Sequence, residues 1–491
     1  MGRMVIRINH APRPSDGKAY EFYPPWSQGA GLLEPSLLKA LEDVVGPDNM
    51  TTEPVELLCY ARDASENFGK PDVIVWPRTT EQVSAVLKLA NEYKVPVTPR
   101  GAGTCLSGGP VPAKGGILMV MTRMDRILDI DVANMLALVE PGVVWQDLNN
   151  ALEPYGLFLP PDPASGAVCT IGGCIAEDAG GMRAVKYGTF RDWVQALEVV
   201  LPTGEVIWTG SRTRKCVSGY DLVHLFVGSE GTLGVITKAL LRLFPKPKYA
   251  LVMSAFAKDL RDAGRAVFYV LTRGLTPSAA EIMDKHTLRA VSEFTGAELP
   301  DCEAMLIFEF DGYTLSDVRA RLREAKKLCE ATNLKVRVAE SEAEASEIWE
   351  LRRAASPALA RLRPSSIHED VTVPVSKLPD MLERIGKISR EFGMLIATFG
   401  HAGDGNLHPV ILFDERDPEE ARRARLAARE LAKAALELGG TLTGEHGIGL
   451  SKAPFFTLEH SRTEVEVMRA IKKALDPNGI MNPGKIWEAG P

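Results

Sequence analysis

The sequence predicts an α+β fold with more than one domain, on three observations. A chain of 491 residues is too long for one ordinary core, and its 45% hydrophobic and 25% charged content is that of a globular protein. Residues 70–100 read as a small β-α-β unit. The second half alternates longer strands with longer helices, as in a sheet backed by helices.

The elements follow in order. Residues 1–30, rich in Pro and Gly with Tyr20, Phe22, Tyr23 and Trp26, form an extended arm that lies on its own domain or wraps a partner. Leu37, Leu38, Leu41, Val44 and Val45 space a helix over about Pro35–Val45, stopped by Gly46-Pro47. Val73–Pro77 and Val95–Pro99 are strands, joined by a helix over Thr79–Tyr93 that Thr79 or Thr80 caps. Val199–Leu201 and Val206–Thr209 flank a hairpin turn at Pro202–Glu205. Ala250–Phe256 and Ala304–Phe310 are strands, Leu260–Thr272 and Ser316–Thr332 helices, and Glu340–Arg363 is helical. Glu419–Leu438 and Glu464–Leu475 are the last helices.

Bulk composition excludes several functions. A net charge of -7 without a long basic run argues against nucleic acid as a partner, since phosphate binding needs clustered Lys and Arg. Seven cysteines, at 59, 105, 169, 174, 216, 302 and 329, include no C-x-x-C pair, so reduced packed thiols are expected rather than a metal ribbon or cluster. No run approaches 18 apolar residues and residues 1–34 hold no signal-like apolar core. A cytoplasmic location is expected, including a peripheral one on the inner membrane face.

Three Gly-rich stretches sit after or between strands. Arg100-Gly-Ala-Gly-Thr-Cys-Leu-Ser-Gly-Gly109 follows a strand, where its N–H groups can converge on a phosphate-bearing cofactor. Its spacing is neither G-x-G-x-x-G nor G-x-x-x-x-G-K-[ST]. Leu159–Ser165 and Cys169–Gly181 form the second stretch, and Gly228–Thr237 the third.

The richest stretch is Phe399-Gly-His-Ala-Gly-Asp-Gly-Asn-Leu-His-Pro409. Apolar runs at Met394–Phe399 and Leu407–Phe413 with turn residues Gly403–Asn406 between them predict a hairpin in which His401 faces His408, at about 4.5–5.5 Å between Cβ atoms. Thr441–Gly449 adds Glu445 and His446. Two readings stand on these residues alone. The histidines cap a tight hairpin, or two His and a carboxylate hold a divalent ion with coordination positions open. Three of only eight histidines fall in these two segments, which adds weight to the ion.

Pro99-Arg-Gly-Ala-Gly-Thr104, Thr170–Gly181 and Gly228–Ile236 resemble the FAD-binding domain of the vanillyl-alcohol oxidase/PCMH flavoproteins. Gly400–His408, Gly444–Gly449 and Asp476–Gly484 resemble its D-2-hydroxy-acid dehydrogenase branch, which includes glycolate oxidase FAD subunits, D-lactate dehydrogenases and D-2-hydroxyglutarate dehydrogenase. The resemblance covers about residues 50–491. It implies an arm and helix at 1–49, a PCMH-type FAD-binding domain of two α+β subdomains at 50–247, and an α+β cap at 248–491 whose C-terminal segment returns to the flavin.

The resemblance also implies site residues. Arg100, Gly101, Ala102, Gly103, Thr104, Cys105, Ser107 and Gly108 would hold the FAD pyrophosphate. Asp162, Ser165, Thr170, Ile171, Gly172, Gly173, Ala176, Ala179, Gly180 and Gly181 would line the ribityl chain and ring, with Pro161 and Gly188 in the same contact set. Val235 and Ile236 would meet adenine or ring through backbone, and Asn482 would return to the flavin. Covalent relatives carry His near the first loop; Gly103-Thr104-Cys105 stands here, so FAD is expected to be noncovalent. His401, His408 and Glu445 map onto the ligands of one divalent metal (Zn, Mn or Fe), His446 onto the catalytic base, and Arg352 of Trp349-Glu-Leu-Arg-Arg353 onto the arginine for the substrate carboxylate, Arg353 being left to solvent. In an extended strand Glu445 and His446 would face opposite ways.

The implied reaction is oxidation of a 2-hydroxy acid: metal chelation, proton removal by His446, and hydride transfer from C2 to flavin N5. Hydroxyglutarate enzymes carry Lys-Tyr-Asp where His368-Glu369-Asp370 stands, and Asn where Val410 stands, so a small monocarboxylate, D-lactate or glycolate, is favoured. Electrons would leave to an external acceptor, an iron–sulfur subunit, an electron-transfer flavoprotein or a quinone, in an oligomer or complex that the N-terminal arm helps dock. An oxygen-using oxidase and a transferase of the alkyl-dihydroxyacetonephosphate synthase type are the competing classes; the latter carries consecutive histidines that are absent here.

Overall fold

In the computed structural model the described residues are 33–487, and the N-terminal arm lies outside them. Leu37, Leu41 and Val45 bury one face of helix Pro35–Val45, and Gly46 at φ +84° ends it. The first sheet has the spatial order Met50–Thr51, Val73–Val75, Ile117–Val120, Val97–Arg100. Helix Thr80–Tyr93 is capped by Thr79, whose Oγ1 accepts from Gln82 N. The two strands it connects are not neighbours: Ile117–Val120, buried at every position, pairs in parallel with both. The expected β-α-β unit therefore spans a strand that arrives later in the chain.

The second sheet is antiparallel throughout, in the order Ile127–Asp131, Leu136–Val139, Val235–Arg242, Val194–Val200, Val206–Gly210. The cap is built on an eight-stranded sheet. Its main path runs Lys335–Val338, Tyr249–Ala257, Ala304–Gly312, Ala279–Asp284, Leu395–His401, Asn406–Phe413, Ser365–His368, with Val371–Thr372 also paired to Asn406–Phe413. Period-two alternation splits each strand between two cores. Phe308 and Phe310 pack with helices Leu260–Thr272, Leu315–Ala331, Leu378–Phe392 and Pro418–Glu437, whereas Met305 and Ile307 pack with Lys285–Thr295, Glu342–Arg353 and Ala355–Ala360. The expected single helical stretch over 340–363 is thus two helices, meeting at Ala354.

The C-terminal segment returns to the first sheet, where Met481 bridges to Val97 and Asn482 N donates to Val97 O. A second tie joins the halves: Tyr187 Oη donates to Asp311 Oδ2 at 2.6 Å, and Lys186 pairs with the same carboxylate. Among the described residues no helix is long and apolar enough to cross a membrane.

Candidate active site

The histidine hairpin forms, in a different register. Phe399 faces His408, Gly400 faces Leu407 and His401 faces Asn406, so the turn is Ala402-Gly403-Asp404-Gly405 and the expected His401–His408 pairing is corrected. Asn406 is drawn into the strand because its Nδ2 donates to Asp370 Oδ1 and Thr372 Oγ1, both at 2.7 Å. Gly405 closes the turn at φ +77°, where a Cβ would lie 2.0 Å from Val373 O. The slip preserves which side chains share a face. His401 and His408 are diagonal neighbours with ring centroids 5.1 Å apart.

Their Nε2 atoms converge on one carboxylate oxygen, His401 at 3.1 Å and His408 at 3.4 Å from Glu445 Oε1. Behind them, Glu281 Oε1 meets His401 Nδ1 at 2.8 Å and Asp370 Oδ1 meets His408 Nδ1 at 3.3 Å. Two imidazoles and a carboxylate, with each ring steered by a further carboxylate, make a donor set that fits a divalent cation. Burial disfavours charge on His401, but Glu281 and Glu445 outweigh it and hold its pKa well above the usual value. Burial likewise opposes ionisation of Glu445, and His401 and His408 override it to keep the carboxylate charged. The cluster attracts positive charge.

Thr441–Gly449 is not an extended strand, and His446 does not point away from Glu445. Its ring stacks on His408, centroids 5.0 Å apart and 13° between planes, and both His446 and Glu445 line the same cavity. The reason is Asp370, fully buried, whose Oδ2 accepts from Thr443 Oγ1 (2.7 Å) and from the backbone N of Gly444, Glu445 and His446 (2.9, 2.9 and 2.8 Å). Four donors on one oxygen bend the segment tightly. His446 is pushed to a pKa of about 4 by burial, which the nearby Asp370 only partly offsets. Its imidazole is therefore neutral at pH 7, with Nδ1 buried and without a partner.

The cavity has a volume of about 790 Å³. Of the predicted cofactor residues, Arg100–Cys105, Ser165, Thr170, Gly172, Gly173, Ala176, Ala179, Gly180, Val235 and Ile236 line it. Others sit behind the wall. Ser107 Oγ donates to His446 O, Gly108 N donates to Asp63, Ile171 is core, and Asn482 Nδ2 donates to Gly109 O and Glu230 O. Pro161, Asp162 and Gly181 are not among the lining residues, a Cβ on Gly181 falling 1.9 Å from Asp162 O, and Gly188 ends the short helix Ala184–Tyr187. The cavity suits a pyrophosphate-bearing ligand. Arg100 is 8% exposed, and its Nε and Nη1 are buried with no partner. Gly103, at φ +78°, leaves room for that guanidinium, since a Cβ there would be 2.1 Å from Arg100 Nη2. A buried guanidinium that lies over the Tyr60 ring but leaves two nitrogens without a hydrogen-bond acceptor, in a Gly-rich loop, is matched to an anion.

Arg352 is buried and bound to Glu281, Nη2 to Oε2 at 2.6 Å and Nε to Oε2 at 2.7 Å, with Phe399 stacked 4.8 Å from its guanidinium. Arg353, left to solvent on sequence, lines the cavity. Glu281, Asp370, Glu177 and Lys452 lie outside the sequence-predicted site residues, yet the first two orient the histidines, Glu177 lines the cavity and Lys452 stands beside Asp370. Glu281 carried a usable signal: a carboxylate within the apolar strand Ala279–Asp284 must find partners once buried. His368, considered for the substrate, bonds Ser366 Oγ instead and is pushed down to about 4 by burial.

Comparison with known proteins agrees with this architecture. Residues 71–210 match the FAD binding domain model, and 246–486 match the model for FAD linked oxidases, C-terminal domain. The chain is 40% identical over 459 residues to "Glycolate oxidase subunit GlcD" of Bacillus subtilis (strain 168), covering 93% of this chain and 97% of that one. Identity to the protein of the same name from Escherichia coli (strain K12) is 39% over 454 residues, 92% and 90% of the chains. It is 37% over 440 residues to "D-lactate dehydrogenase" of Anaerostipes hadrus, 87% and 92% of the chains. Among solved structures, p-cresol methylhydroxylase with substrate bound superimposes with a TM-score of 0.77 at 20% identity, over 92% of this chain and 96% of that one. An alkyldihydroxyacetonephosphate synthase does so with a TM-score of 0.72 at 19% identity, over 92% and 86%. These two likenesses establish the PCMH-type fold alone.

Proposed function

The chain belongs to the FAD-linked oxidoreductase family of the glycolate oxidase GlcD subunits and D-lactate dehydrogenases, and we propose that it oxidises a small D-2-hydroxy acid, D-lactate or glycolate, to the 2-oxo acid. The observation that carries the proposal is the meeting of His401, His408 and Glu445 beside His446 at the wall of the cofactor cavity. When bound, noncovalent FAD supplies a two-electron hydride acceptor and a divalent ion (Zn, Mn or Fe) supplies Lewis acidity toward the substrate hydroxyl.

The protein's own part is positioning and proton transfer. Arg100 and the loop that follows it bind the pyrophosphate. His401, His408 and Glu445 hold the ion, with Glu281 and Asp370 fixing the ring tautomers. Arg352, its fork fixed by Glu281, receives the substrate carboxylate, and Arg353 draws the anion to the mouth. His446 Nε2 takes the hydroxyl proton, and Asp370, 3.9 Å behind Nδ1, stabilises the imidazolium. Electrons pass to an external acceptor within a multi-subunit complex, a reading supported by the "subunit" in the names of the GlcD relatives.

The test is anaerobic bleaching of the flavin absorbance by D-lactate, L-lactate, glycolate and D-2-hydroxyglutarate, before and after chelation. Rapid bleaching by D-lactate or glycolate, lost on chelation and restored by metal, is expected. No bleaching of FAD- and metal-loaded protein by any of the four would sink the dehydrogenase proposal. Peroxide release in air at the rate of bleaching would mark an oxidase.

A further inference from the structure

We propose that Cys169 and Cys174 form a redox-active thiol pair in the cavity wall, which hydrogen peroxide converts to a disulfide that impedes FAD uptake. The proposal rests on the cavity being the FAD site. The two sulfurs lie 3.4 Å apart, Cys174 donating to Cys169, and both residues line the cavity. Their placement follows from the local fold. Thr170 is the N-cap of helix Ile171–Glu177, its Oγ1 accepting from Gly173 N, so Cys169 and Cys174 hold the flanking positions whose side chains staple a helix start. A staple normally uses two apolar residues; here it uses two thiols.

The pair divides its roles. The hydrogen bond from Cys174 draws the Cys169 pKa below its usual value despite burial, making Cys169 the nucleophile. Cys105, which also lines the cavity, is pushed well up by burial and by Glu177, and Cys59 and Cys216 are exposed, away from the cavity lining. The Cys169 thiolate attacks one peroxide oxygen, the O–O bond breaks, and the departing hydroxide takes up a proton as water. The sulfur of Cys174 then attacks the Cys169 sulfenic acid, the S–O bond breaks, and a second water leaves. Two thiols lose two electrons and one peroxide becomes two waters.

Closing 3.4 Å to a sulfur–sulfur bond of about 2.05 Å draws the cap segment inward. Thr170 cannot move alone. A Cβ on Gly101 would lie 2.2 Å from Thr170 Oγ1, so the pyrophosphate loop rests directly on the cap. Oxidation therefore displaces the floor on which the cofactor's phosphates sit, and bound FAD in turn covers both sulfurs.

The test uses the full chain, FAD-loaded and FAD-stripped, treated with peroxide, alkylated and digested with trypsin; residues 127–183 form one tryptic peptide holding both cysteines. In stripped protein that peptide should lose two hydrogens and escape alkylation, reversibly with dithiothreitol, whereas in loaded protein both cysteines stay reduced. Oxidised protein should then take up FAD about tenfold more weakly, the effect of a displaced close-packed wall. Cys174→Ser should trap Cys169 as a dimedone adduct and keep its FAD affinity after peroxide. Two alkylated cysteines after peroxide, oxygen addition without a disulfide, or a disulfide with unchanged FAD affinity would each overturn the proposal. Failure of reduced protein to bind FAD would refute the cofactor site instead, while the peptide mass still reports on the thiols.

Discussion

Asp370→Asn is the substitution whose cost the structure defines best. Asp370 Oδ2 accepts four hydrogen bonds that set the course of residues 443–446, and Oδ1 faces Asn406 and His408. An asparagine can keep an oxygen toward only one of these groups. With its oxygen toward the four donors, its amide confronts the Asn406 amide and takes the acceptor from His408. All four bonds also lose their ionic character. A charge-assisted bond exceeds a neutral one by about 1 kcal/mol, so the four put the loss near 4 kcal/mol, concentrated in the segment that carries Glu445 and His446. Lys452, whose Nζ lies 3.6 Å from Oδ2, loses its counter-charge as well. Metal affinity should fall about 10- to 100-fold, as for other ligand-orienting carboxylates. The assay is metal titration with a competing chelator, alongside amide exchange of residues 443–446. Wild-type affinity with unchanged protection would refute the role of Asp370 in holding the site together.

Three other substitutions test separate parts of the site. Arg100→Met should weaken FAD uptake about 10- to 100-fold, the loss of one charge-assisted contact to phosphate, without destabilising the FAD-free protein, because burial already disfavours a guanidinium with two unsatisfied nitrogens and methionine keeps an apolar contact with Tyr60; fluorescence titration with FAD and a urea melt check both halves. Glu369, 5% exposed, has its pKa raised from 4.5 to about 7, chiefly by burial, so the native state binds more protons than the unfolded chain in between and stability falls as pH rises from 4.5 to 7. The span corresponds to about 3 kcal/mol, which Glu369→Gln should abolish in urea melts at pH 5, 6 and 8; parallel curves for the two proteins would exclude it. Arg352→Lys should raise KM for the hydroxy acid at least about tenfold while FAD binding stays normal, because a lysine cannot reproduce the fork held by Glu281, and steady-state kinetics beside FAD titration measure this.

Much of the fold is legible because the periodic segments carry local signals. Helix Pro35–Val45 has Pro at its start and Gly beyond its end, and Leu260–Thr272 falls on its sequence boundaries, since capping and amphipathic spacing are decided within a few residues. The histidine hairpin marks the limit of such signals. Side-chain alternation fixes which residues share a face, so His401 and His408 do meet, but the register was set by Asn406 reaching Asp370 and Thr372, more than thirty positions upstream. The bend at Glu445–His446 likewise has a distant cause. Nothing within Thr441–Gly449 reveals that one distant carboxylate oxygen collects its N–H groups.

The role of Arg352 shows what a motif match leaves out. The Trp-x-x-Arg pattern supplies a guanidinium, yet its charge is met by Glu281, whose second oxygen orients His401. Pairing Arg352 with Glu281 leaves Glu445 as the carboxylate facing the two histidines, and Asp370 is balanced by its donors and Lys452. With no cation between the rings, an anionic substrate would meet a surplus negative charge, and the raised pKa of His401 is the protein's response to it. A divalent ion reverses that surplus. One substrate carboxylate then restores neutrality, and the proton passing from the substrate hydroxyl to neutral His446 leaves the total unchanged. A second carboxylate on the substrate would find no balancing charge among these residues and would have to draw on Arg353 in the cavity wall, which is the electrostatic reason to favour D-lactate or glycolate over a hydroxy diacid.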